Sequence, residues 1–343
     1  MASPSLHSST PASVLGGGEL VGGPAEPLHA AATNATRKRP SLAAVTELFK
    51  PVTWFAAMWA FMCGVVSTGV PILADYRWAL MLAGMVLAGP LVCAASQAVN
   101  DWYDRHVDAI NEPNRPIPSG RIPGRWGLYI AIGWSAISLG VGLALGLWAF
   151  VATVLAVALA WAYSAPPLRL KLNGWWGNAA VGLSYEGIAW FTGAAVMLGA
   201  LPPTLIIVLA LLYSIGAHGI MTLNDFKAIE GDIKLGVRSL PVQLGPARAA
   251  RLACAVMTVP QLYVIGLLFA IDRPFHALGI SVLVLIQIFL MRIFLADPRA
   301  KAPWYNATGT SLYVLGMLVA AFAVRGLETP LFSLIGGVGP VSG

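Results

Sequence analysis

The chain carries one acidic pattern twice. Asn100-Asp101-Trp102-Tyr103-Asp104-Arg105-His106-Val107-Asp108 returns 124 residues later as Asn224-Asp225-Phe226-Lys227-Ala228-Ile229-Glu230-Gly231-Asp232. Both copies open on Asn-Asp-aromatic, close on Asp and follow a long apolar run. Only 10% of the residues are charged, yet seven of the 15 carboxylates (Asp101, Asp104, Asp108, Glu112, Asp225, Glu230 and Asp232) sit in these two places. On a helix Asp101, Asp104 and Asp108 stand at i, i+3 and i+7 and share a face bordered by Asn100. Asp225 and Asp232 share a face too, but Ala228 replaces the middle acid, so the second site binds metal more weakly alone. Carboxylates suit hard, oxygen-seeking cations, and Mg²⁺ is commonly held by one or two of them together with substrate phosphates. A diphosphate clamped by Mg²⁺ between two acidic helix ends is the chemistry implied. The plainer reading is a solvated acidic helix end, and the recurrence at a fixed offset argues against it.

A loop with turn residues and positive charge comes after each signature. The first is Glu112-Pro113-Asn114-Arg115-Pro116-Ile117-Pro118-Ser119-Gly120-Arg121, stiffened by three prolines, and the second is Lys234-Leu235-Gly236-Val237-Arg238-Ser239-Leu240-Pro241. A third, Tyr163-Ser164-Ala165-Pro166-Pro167-Leu168-Arg169-Leu170-Lys171, lies between them. Arg meets phosphate oxygens with a planar fork and Lys with a point charge, so Arg115, Arg121, Arg169, Lys171 and Lys227 are candidate diphosphate ligands. Each is equally readable as an ordinary loop charge beside a membrane.

The elements that must position these groups are membrane helices. With 57% hydrophobic residues over 343 and a mean hydropathy of +0.74, the chain has too little polar surface for a water-soluble globule. Nine stretches are long and apolar enough to span a bilayer: 51–74, 78–100, 126–147, 149–165, 176–198, 203–224, 250–271, 275–295 and 307–325. With the N-terminus in the cytoplasm, 18 of the 21 Lys and Arg fall on the cytoplasmic side, leaving Arg77, Arg273 and Arg325 opposite. Both acidic signatures then sit at the cytoplasmic ends of the second and sixth spans. The expected organisation is a disordered cytoplasmic tail over 1–40, a polytopic domain over 41–330 and a short tail over 331–343, in an inner membrane. Cys63, Cys93 and Cys254 lie in apolar runs and read as small buried hydrophobes. The sequons at Asn34 and Asn306 read as chance matches, and no nucleic-acid partner is expected.

These residues carry a resemblance. Asn100-Asp101-x-x-Asp104-x-x-x-Asp108, Tyr163-Ser164-Ala165-Pro166-Pro167 and the Asp225 to Asp232 stretch resemble the UbiA superfamily of intramembrane prenyltransferases. Asp108-Ala109-Ile110-Asn111-Glu112-Pro113, Arg115-Pro116-Ile117-Pro118-Ser119-Gly120, Asn173-Gly174-Trp175 and Asn224-Asp225-Phe226-Lys227 are more narrowly similar to its chlorophyll and bacteriochlorophyll synthases, over residues 48–325. His106 and Ser184-Tyr185-Glu186-Gly187 tilt the likeness toward the bacteriochlorophyll branch. The resemblance implies an all-α integral membrane bundle of nine spans around a central cavity. It also implies Mg²⁺-dependent esterification of a bacteriochlorophyllide propionate by geranylgeranyl or phytyl diphosphate. Asp101, Asp104, Asp108, Asp225 and Asp232 become the metal ligands, with Tyr163 beside them. Asn100 and Asn224 join the basic residues in binding substrate, and pigment-biosynthesis or photosystem assembly proteins become possible partners alongside membrane lipid. Trp102, Tyr103, Tyr163 and Phe226 stand near enough to favour an allylic cation through their faces. The propionate is already ionised at neutral pH, so no general base is needed.

Glu186 and His218 are ionisable residues within expected spans, which makes them functional candidates. Glu186 is expected to face the cavity and select the pigment, and His218 to lie near the tetrapyrrole magnesium; a helix-packing hydrogen bond is the alternative for both. Other readings are a chlorophyll synthase, a quinone or haem O prenyltransferase, and a transporter using the carboxylates as an ion relay. The last is disfavoured because the acids sit at helix ends and no apolar segment is plainly broken at mid-membrane in both halves.

Overall fold

The computed structural model describes residues 39–73 and 75–327. The expected tails, apart from Arg39 and Pro40, and the Asn34 sequon lie outside these residues. Among them are nine helices long and apolar enough to cross a membrane: α1 (Leu42–Ser67), α2 (Arg77–Asn111), α3 (Trp126–Ala144), α4 (Leu147–Ser164), α5 (Gly174–Leu198), α6 (Thr204–Asp225), α7 (Pro246–Ala270), α8 (Pro274–Ala296) and α9 (Pro298–Ala323). Consecutive helices pack against one another, α9 closes onto α1, and α1 also crosses to α5. The expected all-helical membrane bundle is what the chain forms.

The boundaries differ where polar residues extend an apolar helix. α1 begins at Leu42, capped by Ser41, whose Oγ accepts from the Ala44 N–H at 3.2 Å. It breaks at Lys50 (φ 46°), because Pro51 disfavours helical backbone in the residue before it. α2 does not stop at 100 but carries the whole first signature to Asn111. α9 begins at Pro298, where Asp297 Oδ1 accepts from the Ala300 N–H, and Pro at the first position costs no hydrogen bond. Only Leu145 and Gly146 join α3 to α4, and Gly146 makes the turn at φ 118°.

Two spans are interrupted by π-helical turns, Leu87–Cys93 in α2 and Leu183–Ile188 in α5. In the first, Pro90 lacks an N–H and cannot continue the α ladder; its own carbonyl accepts from the Trp134 indole N–H at 2.9 Å. In the second, i→i+5 bonding brings residues five apart over one another. Gly182 and Gly187 then meet the same stretch of α6, where a Cβ on either would strike Ser214. Apolar patterning carries no sign of a mid-membrane interruption in both halves; both exist, and each keeps the helix hydrogen-bonded rather than broken.

Candidate active site

A cavity of about 680 Å³ opens between α1, α2, α4, α5, α6 and α9. Its polar end is made by Asn100, Tyr163, Asn178, Asn224, Asp225 and Asn306, and the walls beyond are largely apolar, with Leu87, Ala88, Val92, Ala156, Leu159 and Ile220 among them. The cavity is therefore shaped for a molecule with an oxygen-rich head and a greasy body.

The first acidic face is matched charge for charge. Lys50 Nζ lies 2.6 Å from Asp101 Oδ1, with Arg115 at 3.7 Å from the same oxygen. Arg115 also donates to Asp108 Oδ2 at 2.9 Å and to Glu112 Oε1 at 2.9 Å. Lys171 Nζ bridges Asp104 Oδ1 at 2.6 Å and Asn100 Oδ1 at 3.1 Å, and Arg169 stands 3.9 Å from Asp104. Ser164 donates to Asn100 Oδ1 at 3.2 Å. Burial draws the Lys171 ammonium below the ordinary lysine range, against the Asp104 carboxylate that favours its charge. Burial also opposes the Arg115 charge, but Asp101 and Asp108 outweigh it and hold the guanidinium above its usual value.

The second acidic face has no such company. Asp225 lines the cavity and accepts from Asn178 Nδ2 at 3.1 Å, while Asn224 Oδ1 accepts from Asn306 Nδ2 at 3.0 Å. Asp232 is half-buried on the short helix Ile229–Leu235, where burial raises its carboxyl above the usual range. Lys227 is exposed and makes no ion pair among the described residues.

The five aspartates thus do not gather at one point: among the described residues no three His, Cys, Asp or Glu side chains form a metal cluster. Like charges on one helix face separate, and Lys50, Arg115 and Lys171 fill the spaces between them. The donor set still fits a hard divalent cation. Every ligand atom on offer from Asn100, Asp101, Asp104, Asn224 and Asp225 is oxygen, and Asp101 Oδ2 is buried with no hydrogen-bond partner. Arg169 Nε is equally buried and unpartnered, an N–H left for an anion.

Several expected site residues lie elsewhere. Arg121 forms an ion pair with Glu47 at 2.5 Å and donates to the Asn114 carbonyl, fastening the 112–125 loop to α1 rather than facing the aspartates. Glu186 is buried but is not part of the cavity wall, which Ser184, Tyr185 and Ile188 line on this helix. His218 meets the Trp175 carbonyl at 3.2 Å, a contact between α6 and the start of α5 away from the cavity. Of the four aromatics expected near the reacting carbon, only Tyr163 lines the cavity. Trp102 lies under Arg105, Tyr103 meets Trp161 edge-on, and Phe226 packs on Phe294.

Sequence reasoning missed Lys50, Asn178 and Asn306. The signal for Lys50 was its place immediately before Pro51 at the mouth of the first span. Asn178 stands among small residues on an otherwise apolar stretch, and Asn306 was masked by its chance sequon.

The UbiA prenyltransferase family model matches residues 53–315. The chain is 60% identical over 292 residues to the bacteriochlorophyll synthase 33 kDa chain of Cereibacter sphaeroides, covering 85% of this chain and 96% of that one. It is 40% identical over 296 residues to the chloroplastic chlorophyll synthase of Oryza sativa subsp. japonica, covering 81% and 75%. In fold it is similar to a UbiA homologue from Archaeoglobus fulgidus solved bound to GPP and Mg²⁺, with a TM-score of 0.62 at 22% identity over 83% of this chain and 100% of that one. Acidic helix ends, a polar-headed apolar cavity and this family match agree, and the chain belongs to the UbiA prenyltransferase family.

Proposed function

We propose that the protein transfers a C20 isoprenoid, geranylgeranyl or phytyl, from its diphosphate to the propionate of a bacteriochlorophyllide, in a Mg²⁺-dependent esterification. The observation that carries this reading is that Asn100, at the polar end of the apolar cavity, joins it to the cluster of Asp104, Arg169 and Lys171. A chain of isoprene units fits the apolar part and a diphosphate the charged part. The 60% identity to a bacteriochlorophyll synthase, against 40% to a chlorophyll synthase, favours the bacteriochlorophyll branch.

In this mechanism Asn100, Asp101 and Asp104 on α2 and Asn224 and Asp225 on α6 would hold the metal, and Asn178 keeps Asp225 turned toward the cavity. The chemistry that Mg²⁺ would supply there is positive charge for the departing diphosphate. Lys171, Arg169 and Arg115 bind the same diphosphate oxygens from the loops and stabilise it as it leaves. The carbon–oxygen bond to diphosphate breaks, and the allylic carbon carries positive charge against the Tyr163 face. The ionised propionate attacks that carbon and forms the ester, so diphosphate departs without a proton being taken from the acceptor. The apolar walls exclude water, which would otherwise capture the cation. With most Lys and Arg on the side of these loops, the N-terminus and the site face the cytoplasm of an inner membrane.

The test is incubation of purified protein with labelled geranylgeranyl diphosphate, Mg²⁺ and one of three acceptors: bacteriochlorophyllide a, chlorophyllide a or 4-hydroxybenzoate. Label in a base-labile pigment ester is expected. Label on a ring carbon of the aromatic acid, or no transfer to either pigment, would overturn the assignment.

A further inference from the structure

The two π turns meet across the cavity. Cys93, the last residue of the α2 turn, has its Sγ 3.1 Å from the hydroxyl of Tyr185, which belongs to the α5 turn. Gln97, one turn along α2, donates from Nε2 to the same hydroxyl at 3.4 Å, and Thr53 Oγ1 reaches Cys93 Sγ at 3.4 Å. All four residues line the cavity and make a hydrogen-bonded polar patch on a largely apolar wall. Their lone-pair arithmetic is unbalanced. Cys93 donates its S–H to the Thr53 carbonyl at 3.7 Å and Gln97 donates to Tyr185, which leaves the Tyr185 proton facing sulfur, a weak acceptor. A carbonyl oxygen entering the cavity would take that proton in a stronger bond.

The patch also lies at a defined depth. At 1.5 Å per residue, Gln97 and Cys93 sit about 10 Å and about 16 Å from the level of Asp104. An isoprenoid tail gains nothing from a hydroxyl there. A tetrapyrrole acid whose propionate reaches the allylic carbon carries ring substituents over about that distance. Bacteriochlorophyllide a bears an acetyl group where chlorophyllide a has a vinyl, so the two differ by one hydrogen-bond acceptor.

We propose that Tyr185, oriented by Gln97 and Cys93, donates a hydrogen bond to a carbonyl on the edge of the pigment acid and selects the acetyl-bearing acceptor over its vinyl counterpart. This rests on the function proposed above and gives the acceptor half of the site its specificity-determining residue. It transfers to Tyr185 the role expected of Glu186, which is not part of the cavity wall.

Two measurements test it. Both pigment acids compete in one vessel with geranylgeranyl diphosphate and Mg²⁺, and the ratio of esters is read, a quantity independent of how much enzyme is folded. Tyr185→Phe should lower the acetyl-to-vinyl ratio about tenfold, and Gln97→Met should lower it in the same direction by less. An unchanged ratio in Tyr185→Phe refutes the proposal. The second readout needs no variant: the acetyl C=O stretch of bacteriochlorophyllide a bound to the wild-type protein, followed by resonance Raman, should fall below its value in detergent alone. An unshifted band refutes the proposal even if both variants are inactive. A wild-type protein that esterifies neither pigment acid refutes the proposed function instead, and the two failures are thereby distinct.

Discussion

Lys171 is the residue whose removal should act in two opposite directions. Its ammonium sits between Asp104 and Asn100, with only 13% of the side chain exposed, where a metal bridging the same oxygens would compete with it. In Lys171→Met, Asp104 keeps only Arg169, at 3.9 Å. A hydrogen bond to a charged group contributes ~1.5–3 kcal/mol. Asp104 retains 21% exposure and a second cation, which argues for the lower end, or about tenfold in an equilibrium constant. Without substrate, the variant should therefore bind Mn²⁺, a spin-active surrogate for Mg²⁺, about tenfold more tightly, as read from loss of the free-ion EPR signal. Turnover should fall by roughly a hundredfold, because a preorganised donor at a leaving group is worth that much. Weaker or unchanged Mn²⁺ binding would refute the idea that the ammonium and the metal share the Asn100–Asp104 position. Full turnover would refute its contact with diphosphate.

The same geometry sets three further outcomes. Asp225→Ala should abolish turnover, and Asn178→Ala, which only frees Asp225 to rotate, should reduce it about tenfold, the lower end for a hydrogen bond to a charged group, in steady-state assays. Arg121→Ala should change turnover by less than about threefold and lower Tm little, since an exposed ion pair is screened by solvent and contributes little; a hundredfold loss would return Arg121 to the diphosphate site.

The fold and the first half of the site were legible because both depend on patterns confined to single segments. Apolar runs about 20 residues long define spans, and Asp101, Asp104 and Asp108 declare their shared face by spacing alone. The illegible part depends on partners far apart in the chain. Nothing near Asp101 announces that Lys50, 51 residues earlier, neutralises it, or that Asn306 meets Asn224 across 82 residues. The expectation for Glu186 has a different origin. Glu186 stands out as an ionisable residue within a span, whereas the spacing Asn178, Val181, Tyr185, Ile188 and Thr192 along the cavity face already follows an ordinary helical repeat that leaves Glu186 beside it. The π turn at Pro90 was foreshadowed by the proline, whereas that at Leu183–Ile188 has only the glycines at 182 and 187 as its trace.

In a bilayer a span cannot gain or lose a residue by looping it out, because the freed backbone groups would have no water to bond. A π turn absorbs one residue while the helix on either side keeps its packing, as Gly182 and Gly187 do against α6. Across evolution the interior lining of this protein can thus diversify by small insertions and deletions, as surface loops do in soluble enzymes, while the acidic helix ends remain fixed in place. Such a bundle can acquire new acceptors without rebuilding the machinery that activates the donor.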